Sequence, residues 1–535
     1  MAPSHSESPR LTHRTLNGLL WVFMGKGAQS VLHLLLLLIL ARLLTPRDFG
    51  LVSAALVVVG FSSIFSQLGV GPAIVQRAEL TIRHIRTGFT LSTLFGASMT
   101  VFVWLLAPAI AGFFRIDDLQ PVVQVMSFAF LLQGVSTVAE SLLRRELRFR
   151  NLTAVDAAAL TLGLGAVGIT MACLGFGAWA LVGGRLAEIL LRTILLLSIE
   201  NHSKRPLLEG HALKDFMYFG GGFTLARIGN YFAGKGDQLV VGRWLGAEAL
   251  GIYGQAQRFL VAPAMALGQS LDTVLFPAMV KVQGDPQRLR AAYRRGVALV
   301  ALIMLPSGVS CCLLASELID VLLGPKWSEV AGPFQILALA MLFRTSQKIS
   351  DSVARATAAV YQRAWRQWLY ALLVIGGSWW GRSWGVEGVA VCMLGALAIN
   401  FILMAQLSLR VTGLTWGAFG AAHLPAVALT AILCTELCAV GSLMRHWNLS
   451  PTHLLAVCVA VLLLSAIPLF RYFRSLILGS DGLWMLKTLT AYLPERAHTR
   501  EWSSSPVHVP VPDPVPVPER NPRTLPSSCN AYKPN

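Results

Sequence analysis

The feature that most constrains this chain is an apolar run about twenty residues long that recurs from one end to the other, as in Leu34–Leu40 and its flanks. A helix of about 20 apolar residues matches the roughly 30 Å hydrocarbon core of a bilayer. In that solvent every backbone polar group must be satisfied within the protein, so only helices and closed barrels can cross. Runs of this length without strict alternation are helices. Only 13% of the 535 residues are charged, about half the usual share for a soluble domain. The mean hydropathy of +0.61 points the same way. A secreted disulfide scaffold, a disordered regulator and an ordinary soluble enzyme are thereby excluded. The expected fold is an all-α polytopic membrane protein.

Fourteen transmembrane helices are expected, at about 16–40, 50–75, 87–112, 121–143, 154–174, 177–198, 216–242, 249–279, 296–316, 329–349, 366–384, 386–409, 421–442 and 452–473. The formal net charge of +17 suggests nucleic acid at first, but the Lys and Arg residues sit in short loops between apolar spans. Such loops mark a cytoplasmic face, and no nucleic-acid partner is expected. One side carries Arg10 and Arg14, Arg83 and Arg86, Arg144–Arg150, Lys204 and Arg205, Arg288–Arg295, Arg355 and Arg363, and Arg410. The other carries Arg42, Arg47, Arg115, Arg243, Lys326, Arg382 and Arg445, diluted by Asp117, Asp118, Glu317, Asp320 and Glu329. Both termini are therefore expected in the cytoplasm. The first run, from near Leu19, lacks a cleavage site after a short core and is expected to be a first span, not a signal peptide. The eight cysteines contain no CxxC pair and read as packing residues, with no metal or cofactor implied.

The expected organisation is a cytoplasmic tail (1–13), a first lobe (14–199), a cytoplasmic inter-lobe loop (200–215), a second lobe (216–410), two further spans (411–475) and a cytoplasmic tail (476–535). After about Glu495 the tail is expected to be disordered, because the Val-Pro repeats from Val509 to Pro518 are extended and cannot pack a core.

The two lobes are read from an internal repeat. Ala41-Arg42-Leu43-Leu44-Thr45-Pro46-Arg47-Asp48-Phe49-Gly50-Leu51 recurs 201 residues later as Gly242-Arg243-Trp244-Leu245-Gly246-Ala247-Glu248-Ala249-Leu250-Gly251-Ile252. At the same offset Lys26 falls on Arg227 and Gln29 on Asn230. Six spans separate the copies. An even number keeps the same orientation, so the halves are parallel repeats about an axis along the membrane normal, facing one another across a cavity.

Ionisable residues inside spans are costly and usually face a bundle interior or water. Lys26, Gln29 and His33 share one helical face; Arg227, Asn230, Tyr231, Lys235 and Asp237 fall in one span, with Asn230 and Asp237 on one face; Arg258 and Asp272 follow in the next. In span six, Arg185–Glu188 and Arg192–Glu188 have the spacing of a salt-bridged ladder. Elsewhere Lys26, Arg227, Lys235 and Arg258 outnumber Asp237 and Asp272, which suits an anionic substrate. His33 reads as an internally hydrogen-bonded histidine. Gln29, Asn230 and Tyr231 suit sugar hydroxyls, and Asp237 or Asp272 could couple an ion gradient. Neither a GxxxxGK[ST] loop nor HExxH nor GxSxG occurs, so no enzyme is expected.

These residues carry a resemblance. Lys26–Gln29 with Ala41–Leu51, and Gly229–Phe232 with Asp237–Arg243 and Leu250–Tyr253, resemble the signatures of bacterial Wzx-type polysaccharide exporters of the multidrug/oligosaccharidyl-lipid/polysaccharide (MOP) superfamily. The resemblance covers about residues 12–480. It implies two six-helix lobes in a V with two extra C-terminal helices, a cationic central cavity, and flipping of undecaprenyl-diphosphate-linked oligosaccharide from the cytoplasmic to the periplasmic leaflet of the inner membrane. It also implies contact with membrane lipids and with polysaccharide polymerase and chain-length or export machinery. The alternatives are a membrane-embedded ligase or polymerase, which usually needs a large periplasmic loop, and a drug exporter of the same superfamily, whose organic cations would prefer an acidic cavity.

Overall fold

The computed structural model describes residues 27–66, 70–77, 80–447 and 449–472. Among these the secondary structure is helical throughout. The first half comprises α1 (Gly27–Leu43), α2 (Pro46–Ser66), α3 (Val70–Gln76), α4 (Ile82–Phe114) and α5 (Leu119–Arg145). It continues with α6 (Phe149–Leu160), which passes through a π-helical segment (Thr161–Gly168) into α7 (Ile169–Cys173), and then α8 (Ala178–Ile199). The second half has α9 (Gly210–Trp244), α10 (Gly246–Lys281), α11 (Pro286–Leu313), α12 (Ala315–Leu322), α13 (Ala331–Ala338), α14 (Met341–Ala356), α15 (Val360–Gly381) and α16 (Gly385–Thr412). Two more, α17 (Trp416–His446) and α18 (Pro451–Tyr472), follow.

Each of the fourteen expected spans has a helical counterpart. Eight helical stretches are long and apolar enough to cross a bilayer, and Gly27–Leu43 and Pro451–Leu462 are shorter apolar helices. The count of fourteen crossings stays an expectation from the sequence. Span ten departs from it in form: after α12 and a short 3-10 turn (Pro325–Val330), the expected helix divides at Leu339–Ala340 into α13 and α14. Lys26 and the tail beyond 472 lie outside the described residues.

Helix ends follow local chemistry. At α11, Asp285 accepts hydrogen bonds from the N–H groups of Gln287 (3.0 Å) and Arg288 (3.1 Å), and Pro286 occupies the first helical position, where no donor is needed. Lipid offers no hydrophobic gain for helix association, so small residues let backbones approach. Between α4 and α5, a Cβ on Gly134 would lie 2.4 Å from the Ser92 carbonyl oxygen; the Ser92 hydroxyl donates to Gly134 O at 2.8 Å, and Thr100 donates to Ser127 O at 3.0 Å.

The repeat is visible as a contact. Gly50 on α2 and Gly251 on α10, 201 positions apart, pack the two halves together. A Cβ on Gly50 would fall 1.6 Å from Ala247 O, and one on Gly251 would fall 1.9 Å from Pro46 O. Ala247 and Pro46 are themselves 201 apart. The contact maps onto itself when the halves are exchanged, as a two-fold interface does. It confirms the repeat register.

The two groups of loop charges also sort to two ends. At one, Arg47 pairs with Asp118 (2.9 Å), Arg445 with Glu317 (2.8 Å), and Arg42 donates to the carbonyls of Val321 and Leu322. At the other, Arg86 donates to Arg205 O (3.1 Å), Arg148 pairs with Glu200 (2.9 Å), and Arg290 reaches Thr412 O (3.2 Å). The Gly50–Gly251 contact lies at the first, acid-diluted end. There Trp327, fully buried in the 3-10 turn, donates its indole N–H to Ala41 O (2.7 Å) and packs edge-on against Phe49 (5.3 Å). The halves are sealed at that end.

Candidate functional site: two adjoining polar cavities

Below the seal lies a cavity of about 420 Å³ between the halves, walled by α1, α2, α9 and α10. Its first-half side sets Leu34, Leu37 and Leu56 beside Ser30, His33 and Ser53 and carries neither Lys nor Arg. The second-half side carries Lys235, Gln238, Gln257, Arg258 and Gln269 beside Val261, Ala262, Met265 and Ala266. The Lys235 ammonium donates to Gln238 (3.1 Å), Gln238 donates to Gln257 (2.5 Å), and Arg258 donates to Gln255 (2.9 Å) with its guanidinium 5.4 Å from the Phe49 ring centroid. Both cations line the cavity, and no carboxylate does. A half-buried cation hydrogen-bonded only to amides keeps its charge available to an anionic ligand.

Asp237 stands behind this wall, fully buried. One oxygen accepts from the Gln238 N–H (2.8 Å) and the other from the Tyr253 hydroxyl (2.8 Å) and the Gln257 amide. It thereby fixes the glutamine that faces the cavity. Asp272 is placed elsewhere, paired with Arg355 and accepting from Ser352. Arg227 is exposed and in the wall of neither cavity, and Asn230 is exposed as well, so it does not share the burial of Asp237 two turns on. Tyr231 crosses between the halves, donating to Val57 O and packing on Phe61 (5.8 Å).

Gln29 opens instead into a second cavity, about 430 Å³, inside the first half between α1, α5, α6 and α8. Its charged wall corrects the expected ladder. Arg185 does pair with Glu188 (2.7 Å), but Arg192 turns away from Glu188 to Glu140 (3.0 Å) and Asp156 (2.8 Å) on neighbouring helices. Tertiary partners outcompete the i, i+4 neighbour because two carboxylates there are close enough for charge-assisted hydrogen bonds. On α1, Gln29 lines this cavity while the neighbouring Ser30 and His33 line the central one, so the two cavities adjoin along that helix. Sequence reasoning missed Gln238 and Gln257. Amides in apolar spans were the available signal.

The fold is that of MOP-superfamily transporters. The chain superposes with a TM-score of 0.67 on lipid II flippase MurJ in an inward closed conformation, at 13% identity, covering 85% of this chain and 99% of that one. It superposes at 0.59 on an inward-facing multidrug resistance MATE family transporter of the MOP superfamily, at 14% identity over 72% of this chain and 96% of the other. The chain belongs to the family described as "Polysaccharide biosynthesis protein", which matches residues 39–332. Among its relatives, the lipopolysaccharide biosynthesis protein WzxC of Escherichia coli (strain K12) is 26% identical over 403 residues, 74% of this chain and 80% of that one. The protein is a multi-pass helical membrane protein of a polysaccharide biosynthesis family.

Proposed function

We propose that the protein flips undecaprenyl-diphosphate-linked oligosaccharide repeat units from the cytoplasmic to the periplasmic leaflet of the bacterial inner membrane, for exopolysaccharide or lipopolysaccharide assembly. The observation that carries this reading is the acid-free central cavity, whose two cations, Lys235 and Arg258, both belong to the second half. The diphosphate sits against the two cations; the prenyl chain stays in lipid. Opening of the Gly50–Gly251 seal and closure of the opposite end exchange the cavity between leaflets. Delivered units pass to polymerase and chain-length or export machinery. The loop charges support a seal on the periplasmic side and both termini in the cytoplasm.

A hydrogen bond to a charged group contributes about 1.5–3 kcal/mol. Lys235→Ala and Arg258→Gln should therefore each abolish or sharply reduce external polymer at normal protein abundance, with lipid-linked units accumulating on the cytoplasmic leaflet. Normal export by both variants would defeat the reading. Units accumulating on the periplasmic leaflet would favour a ligase or polymerase.

A further inference from the structure

The second cavity differs from the first in the one property that matters for a diphosphate. Its wall holds Glu140, Asp156 and Glu188 against Arg185 and Arg192, so it carries one more acid than base, with every acid already paired to an arginine. An anionic group gains nothing by entering. Neutral hydrogen-bonding capacity is abundant. The side-chain amides of Gln29 and Gln133 make no hydrogen bond to another described residue, so each offers the cavity both a donor and an acceptor. The hydroxyl of Thr137 spends its proton on Gln133 O (2.7 Å) and keeps acceptor capacity. One oxygen of Glu188, Oε2, is buried without a donor, although its partner oxygen holds Arg185. A buried acceptor of this kind is normally satisfied by something. The ligand that matches is neutral and carries many hydroxyls, each able to donate and accept. At about 430 Å³ the cavity is within the size range of small-molecule sites.

We propose that this first-half cavity seats the leading neutral sugar rings of the lipid-linked substrate while the diphosphate occupies the central cavity. The inference rests on the diphosphate reading and extends it. Gln29 and His33 stand one turn apart on α1, one in each cavity's wall. A ligand anionic at one end and polyhydroxylated at the other spans both. The division of charge makes the site selective: a neutral hexose next to the diphosphate is accepted, whereas a uronic acid there meets the net negative wall.

The test measures binding of three probes to the full chain in lipid nanodiscs: farnesyl diphosphate, the same diphosphate carrying one glucose, and the same carrying one glucuronate. The glucose probe is expected to bind the wild type about tenfold tighter than the bare diphosphate, as two or so neutral hydrogen bonds would give. Gln133→Ala and Thr137→Val, tested separately so that misfolding of one does not decide the matter, should each remove most of that increment and leave bare-probe affinity in place. The glucuronate probe should show no increment. An increment absent from the wild type, one that survives in both variants, or one equally large for glucuronate overturns the proposal. Lys235→Ala weakens all three probes alike; bare-probe binding unmoved by that change would overturn the central-cavity reading, a failure distinct from loss of the sugar increment.

Discussion

Adding one methyl group at Gly50 should hold the two halves apart. The Cβ of Gly50→Ala would sit 1.6 Å from Ala247 O, and ordinary contact begins at 3.4 Å, so the ends of α2 and α10 must separate by about 3.4 − 1.6 = 1.8 Å or distort. The obstructing atom is backbone, which has no rotamer into which to retreat. For Gly251→Ala against Pro46 O the same subtraction gives 3.4 − 1.9 = 1.5 Å. Overpacking of this kind costs about 1–3 kcal/mol, which lowers the ratio of sealed to unsealed protein roughly 5- to 150-fold. Spin labels at the exposed positions of Arg47 and Glu248, in a cysteine-free background, would report the change as growth of a longer-distance population. Gly254→Ala is the control, because its nearest neighbour is Ser53 Oγ at 3.6 Å, an ordinary contact. Since the two glycines share one contact, the double variant should shift the equilibrium by less than the sum of the singles. Identical distance distributions for wild type, Gly50→Ala and Gly251→Ala would refute the seal.

Two further outcomes follow from contacts at either end. Trp327→Phe keeps a ring against Phe49 but loses the indole N–H donated to Ala41 O, which should cost the sealed state about 1–2 kcal/mol and shift the same label distances part of the way. In the inter-lobe loop, His202 is buried against Phe89 (5.4 Å), and that burial, reinforced by the nearby charge of Lys204, holds its pKa below the usual 6.5. The docked loop therefore favours neutral imidazole: its stability is full above about pH 6.5 and declines as the pH falls below it, when the undocked state takes up the proton first. Amide exchange across 200–209, corrected for intrinsic rates, should accelerate between pH 7.5 and about 5.5 in the wild type and lose that dependence in His202→Phe.

Much of the fold was legible because lipid enforces simple rules. Apolar length located the helices, and loop charge grouped residues such as Arg47 with Asp118 that prove to touch. The repeat was legible because Gly50 and Gly251 had to stay small. What escaped was set by packing between helices distant in sequence. Nothing local tells Arg192 to choose Glu140, 52 positions away, over Glu188, four away. The break between α13 and α14 was hidden because the residues there, Leu337 to Leu342, remain apolar. Of the expected cavity residues, Lys235 and Arg258 line the central cavity and Gln29 the other. Periodicity ranks Asn230 with Asp237 but cannot say where along a helix the surrounding bundle ends.

The seal and the pocket obey different symmetry. At the offset that superimposes Gly50 on Gly251, Lys235 falls on Leu34, Gln257 on Leu56 and Arg258 on Val57. The seal is thus shared evenly, while both cations belong to one half and aliphatic residues stand at the matching positions of the other. On the proposed flipping cycle, cargo held by Lys235 and Arg258 travels with the second half when the halves part, and its contact with the first is the one that slips. Each proposed stroke is then lopsided: one jaw holds while the other lets go.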